Sequence, residues 1–292
     1  MGKESTGIFL VLVSAVSFGL MPIFARLAYY QGVGVDELLF VRFLLAFLIM
    51  GAVYSNQRLV LPTRRDLVAL IFLGGLLYFL QSTLYFNSLL YSPIAIVELV
   101  LYTYPVFVTV GAFALGLESV SRPLIAAIVI ALVGLFLIAN PLGNSIGFGV
   151  VLVLGASLTY TVYILVGSRV LKRVGGDVAA LIVMGAASVS FGLTGVLTGS
   201  IRLKWSVAGW FWVLVMSLIC TVIAVTTFFM GLSRVGPSRA ALISLIEPVV
   251  AVFVALLLFG NALTTSQWFG GLLILIAAAI TTLYGRPNRG KR

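Results

Sequence analysis

AALISLIEPVVAVFVALLLF, residues 240–259, is a run of 20 residues with one charged side chain, Glu247, and a proline directly after it, Pro248. As a helix it would span about 30 Å, the thickness of a bilayer's hydrocarbon core. A carboxylate in such a run must face a cavity, pair with a base or be protonated. Proline has no backbone N–H, so it leaves the Ser244 carbonyl without its helical donor.

The whole chain reads the same way. Of 292 residues, 62% are hydrophobic and 9% charged, and mean hydropathy is +1.21. Soluble domains average about 25% charged residues, so this composition cannot cover a water-facing surface of this size. Apolar runs occupy 7–29, 38–55, 67–90, 94–116, 123–140, 147–168, 178–199, 208–232, 239–260 and 267–284. The spacing therefore predicts an all-α integral membrane protein of ten transmembrane helices. The first run lacks a small-residue cleavage site and reads as a retained helix. The net charge of +10 falls mostly in the links, so it reads as a topology signal and not as a nucleic-acid surface. Fourteen of the 18 Lys and Arg residues fall on one side of this plan, which places both termini in the cytoplasm of a prokaryotic plasma (inner) membrane. With no histidine and one cysteine, Cys220, the expectation is no metal site and no cofactor.

Shifted by 143 residues, YFNSLLYSPIAIVELVLYTYPVFV (85–108) lies on FFMGLSRVGPSRAALISLIEPVVA (228–251), with Pro105 on Pro248. This divides the chain into repeats at 1–143 and 144–292. Five helices per repeat is an odd number, so the second copy starts on the opposite side and the repeats are inverted around a central cavity. Pro105 and Pro248 are then candidate hinges.

With this plan in place, the chain resembles the EamA branch of the drug/metabolite transporter superfamily. The resemblance rests on VRFLLA (41–46), TYPVFV (103–108), GLES (116–119), LIEPVVAVFVALLLFGNALT (245–264) and WFGGLLILIAAAI (268–280). It covers nearly the whole chain and implies export of amino acids or other small metabolites. Asn261 stands where the family usually has an acid, so that carboxylate's role is not carried over.

Two acids fall well inside helices, Glu98 and Glu247. Glu247 shares a face with Ala240, Ser244 and Ala251, which suits either a cavity wall or a tight packing seam. Glu98 shares a more polar face with Tyr102, Pro105 and Thr109; that suits a cavity wall, or a locally solvated acid. Gln81, Tyr85, Tyr160 and Tyr163 are further inward-facing candidates, since a phenol in lipid needs a partner. Arg42 could clamp a carboxylate, or pair with Asp36 or Glu37 at the outer surface. The expected partners are lipid and a small-molecule substrate, with a monomer sufficient. The reading is a secondary transporter of small organic solutes, with amino acids leading. The alternatives are a membrane-embedded transferase, or a structural or receptor-like protein.

Overall fold

The computed structural model describes residues 3–55, 62–115, 122–139, 147–170, 173–235, 243–260 and 263–284. Ala240, Asn261, residues 236–242, residues 141–146 and the C-terminal basic residues lie outside them. Most of the described residues are helical and none of them lies in a strand. Seven helical stretches are long and apolar enough to cross a membrane: Glu4–Tyr30, Val35–Tyr54, Arg64–Tyr91, Ile94–Ala114, Phe148–Gly167, Gly176–Thr198 and Val207–Phe228. Three further apolar helices, Ile125–Ile138, Ile246–Phe259 and Thr265–Ile280, are shorter than a full span. Of the ten expected crossings, seven thus have the length within the described residues.

Several stretches are broken into pieces. Helices α1 (Lys3–Gly19) and α2 (Met21–Tyr30) meet at Leu20, with Pro22 in the first turn of α2. Helix α3 is Val35–Tyr54. A widened π-helical turn, Leu73–Tyr78, joins α4 (Arg64–Phe72) to α5 (Phe79–Tyr91). Helices α6 (Ile94–Leu101) and α7 (Tyr104–Ala114) are separated at Tyr102–Thr103, just before Pro105. Then follow α8 (Arg122–Ala139), α9 (Phe148–Val170) and α10 (Gly176–Thr198). A second π-helical turn, Leu218–Ile223, joins α11 (Val207–Ser217) to α12 (Ala224–Val235). The chain ends in α13 (Ile246–Phe259) and α14 (Thr265–Tyr284).

Packing follows the repeat. Helix α1 packs on α12 and α5 on α9, while α3 packs on α10 and α8 on α14. Replacing each helix by its counterpart 143 residues away returns the same set of pairs. A packing that survives this exchange is what a two-fold relation between the halves produces.

Glycines set the closest approaches. A Cβ at Gly74 would lie 2.4 Å from the Val183 carbonyl oxygen and 2.7 Å from Val183 Cα. A Cβ at Gly134 would lie 2.6 Å from the Gly270 carbonyl, and one at Gly270 equally close to the Gly134 carbonyl. With lipid outside, helix association rests on such contacts more than on apolar burial. Gly74→Ala forces backbone against backbone and is expected to cost about 1–3 kcal/mol. Thermal unfolding in detergent checks this, with Gly147→Ala, which meets nothing within 4 Å, as the neutral control.

Candidate functional site

The kinks and π-helical turns surround one polar region in the middle of the bundle. Two lobes share Phe18, Tyr78, Tyr104, Tyr160 and Glu247 in their walls. The smaller, of about 140 Å³, adds Arg42, Gln81, Tyr85 and Tyr102. The larger, of about 420 Å³, adds Tyr163 and Ser244 and extends to Leu70, Gly167 and Gly176. That end of the bundle carries Arg64 and the Arg173–Asp66 ion pair at 2.6 Å.

The α13 kink is answered from α6. Pro248 cannot donate to the Ser244 carbonyl, and the Tyr102 hydroxyl donates to that oxygen at 3.3 Å. The same phenol neighbours the Glu247 carboxylate. Tyr102 reaches across because its own helix is interrupted there, with Pro105 at the second position of α7. Gly19 allows α1 to close on the kink, since a Cβ there would lie 2.6 Å from the Glu247 carbonyl oxygen.

Glu98 is placed differently from the expected cavity wall. It is 1% exposed and sits behind Tyr85, whose hydroxyl donates to its Oε1. Neither lobe is lined by it. Pro248 also faces away from the cavity, into an apolar groove with Trp268 and Phe269. Pro105 lines neither lobe.

Arg42 is 2% exposed and lines the smaller lobe. It does not pair with Asp36 or Glu37. The Glu37 carboxylate accepts instead from the Arg202 and Leu203 backbone N–H groups at 2.5 and 2.7 Å, and from Trp205 Nε1 at 2.7 Å. Asp36 accepts from Ser200 Oγ at 2.9 Å. Three well-placed donors fix Glu37 at the end of the bundle and leave no geometry for Arg42. Arg42 Nε donates to Thr221 Oγ1 at 2.8 Å, and its guanidinium lies 5.0 and 5.5 Å from the Phe43 and Phe86 ring centres. Among the described residues no carboxylate forms an ion pair with it.

An aromatic wall lines the larger lobe. Tyr104 meets Tyr160 edge-on at 4.8 Å, Tyr160 stacks on Tyr163 at 5.8 Å, and Tyr163 lies 5.4 Å from Tyr78. Sequence reasoning overlooked Tyr78, although it stands 3 residues before Gln81 and 7 before Tyr85 on the same helical stripe. Thr221 carries no such signal, because its direction is set by the π-helical turn. The Tyr29 hydroxyl donates to the Phe86 carbonyl at 3.1 Å.

Comparison with known proteins adds the relatives of this architecture. The EamA-like transporter family matches residues 5–140 and again residues 147–283. An uncharacterized transporter of Archaeoglobus fulgidus is 26% identical over 272 residues, covering 92% of this chain and 94% of its own. The uncharacterized transporter YcbK of Bacillus subtilis is 25% identical over 282 residues, covering 92% and 90%. The uncharacterized inner membrane transporter YedA of Escherichia coli K12 is 27% identical over 194 residues, covering 65% and 62%. A solved crystal structure of 19% identity superposes over 97% of this chain and 99% of its own with a TM-score of 0.66, which shows the fold they share.

The kink geometry has a measurable consequence. Tyr102→Phe strands the Ser244 carbonyl, and an unpaired buried acceptor costs about 1–3 kcal/mol. Pro248→Ala restores an N–H that can reach the same oxygen. Tyr102→Phe should therefore lower the melting temperature in the wild-type background and have much less effect in Pro248→Ala, a coupling that a double-mutant cycle reads directly.

Proposed function

The chain belongs to the EamA-like transporter family, and we propose that it is a secondary transporter that exports zwitterionic amino acids, the apolar and aromatic ones foremost, by alternating access. One observation carries the substrate class. Arg42, a buried guanidinium with no carboxylate partner among the described residues, and Glu247 line the same cavity lobe. A free guanidinium recognises a carboxylate, and a carboxylate recognises an ammonium. Tyr78, Tyr104 and Tyr160 line the same lobe and give an apolar or aromatic side chain rings to pack on. An amino acid presents those three features on one small molecule.

Transport follows from the architecture. Ten helices in two inverted repeats would place the cavity between halves that rock about it. The packing exchange between counterpart helices and the two family matches support this plan. The cavity extends toward the end of Arg64 and Arg173, which the distribution of basic residues assigns to the cytoplasm. The other end is held by Glu37 on 202–205 and by Arg26, which donates to the Leu89 carbonyl and to the Ser92 carbonyl at 2.9 Å. The structure then corresponds to an inward-facing state that loads from the cytoplasm.

Counterflow in liposomes with a panel of labelled amino acids tests the reading. Apolar and aromatic amino acids should exchange, and Arg42→Gln should raise their KM roughly 10- to 100-fold, as loss of a charge-assisted hydrogen bond implies. Exchange of an uncharged solute with no amino acid carried would overturn it. The orientation has its own check. A cysteine at position 143 in a Cys220→Ser background should react with an impermeant maleimide from outside the cell, and reaction only from the cytoplasmic side would reverse the topology.

A further inference from the structure

Two of the phenols that line the smaller lobe with Glu247, Tyr85 and Tyr102, are already committed in one direction. A phenol has a single O–H to give and lone pairs with which to accept. Tyr85 gives its proton to Glu98. Tyr102 has two acceptors for its one proton, the Ser244 carbonyl at 3.3 Å and the Glu247 carboxylate beside it, so its hydroxyl too is held as a donor within the protein. Both residues line the smaller lobe, as does Glu247. What the two hydroxyls can offer a molecule in that lobe is therefore lone pairs, and an ionised carboxylate is likewise an acceptor only. Arg42 is the reverse case. A guanidinium has five N–H donors and no acceptor, and among the described residues the Nε hydrogen bond to Thr221 is the one it makes. The lobe is thus segregated into an acceptor pole and a donor pole.

We propose that Tyr85, Tyr102 and Glu247 form an ammonium-binding subsite, that Arg42 takes the carboxylate of the same molecule, and that Glu98 is the positioning residue that fixes Tyr85 as an acceptor. This rests on the amino-acid reading and adds to it the orientation of the substrate and a role for the acid outside the cavity. Glu98 never touches the solute. It takes the Tyr85 proton, which would otherwise be free to turn inward and meet the hydrogens of an ammonium. Selectivity for the amine then depends on a residue one layer behind the cavity wall. The Ser244 carbonyl, bared at the Pro248 kink, is one of the two acceptors that hold the Tyr102 proton in the same way.

Three probes with a common side chain test this: phenylalanine, phenethylamine without the carboxylate, and 3-phenylpropionate without the amine. Binding is measured by calorimetry on the purified full-length protein in detergent, for wild type, Glu98→Gln, Glu98→Leu and Tyr85→Phe. Wild type should prefer phenylalanine to phenylpropionate. Glu98→Gln keeps an oxygen that accepts from Tyr85 and should keep that preference. Glu98→Leu frees the hydroxyl, and Tyr85→Phe removes it. Each should reduce the preference about tenfold, the value of one hydrogen bond. A purely structural role for Glu98 would weaken all three probes alike and leave their ratios unchanged, and that result overturns the proposal. So does a wild-type protein that binds none of the three. If phenethylamine binding depends on Tyr85 while no amino acid is carried in liposomes, the ammonium subsite stands and the amino-acid reading falls. If amino acids are carried and the ratios ignore Glu98 and Tyr85, the subsite falls alone.

Discussion

The hydrogen bond from Tyr102 to the Ser244 carbonyl, at 3.3 Å, shows the constraint under which this bundle is built. Lipid gives backbone groups no partner, so an oxygen released by a helix break must be met from another helix. Carbonyls at or beside the two π-helical turns also accept from another helix. Ser190 Oγ donates to the Gly75 carbonyl in the first π-helical turn at 2.7 Å, and Ser14 Oγ donates to the Ala224 carbonyl just after the second at 2.8 Å. In each case donor and acceptor come from different halves of the chain. The irregularities that shape the cavity are thus also the stitches that join the halves. Any movement of one half against the other has to exchange these bonds for new ones.

The same reasoning governs the charges. Glu37 is 5% exposed and tolerates burial because three donors from the 202–205 segment converge on it. Glu98 is held by one phenol. Arg42 is held by one hydroxyl and two aromatic rings, and rings compensate a cation less fully than a carboxylate does. A buried cation with incomplete compensation, facing a cavity, is poised to gain from an anion arriving there. Within the described residues the pairing is most complete at the end of the bundle and least complete in the middle.

The helical, membrane-bound character of the fold and its two-part construction were legible in the sequence because both follow from composition and period. A run such as 240–259 has one reading in lipid, and the shift of 143 residues exposes the repeat without any contact information. Individual side-chain directions were less legible. A face drawn at 3.6 residues per turn placed Glu98 on the cavity wall, while the break at Tyr102–Thr103 interrupts that face and leaves Glu98 behind Tyr85. A widened turn likewise rotates every later residue, so no local spacing could have aimed Thr221 at Arg42. The sequence left Arg42 either to clamp a carboxylate or to pair with Asp36 or Glu37, its nearest acids along the helix. What decides the matter is a loop some 165 residues away, whose backbone N–H groups take that acid first.

The repeat also separates what the halves share from what they do not. Tyr78 and Thr221 are counterparts at a shift of 143, each within a π-helical turn and each turned toward the polar centre. Tyr104 and Glu247 are counterparts too, and both line the cavity. The backbone devices recur while the side chains on them diverge: tyrosine against threonine, and tyrosine against glutamate. A symmetric frame with identical side chains would offer a solute two equivalent poles and no preferred orientation. Divergence at positions the frame already points inward gives the cavity one aromatic side and one acidic side without altering the shared backbone. In the proposed mechanism the frame would supply the motion and the substitutions the recognition, so the two could be changed independently of each other.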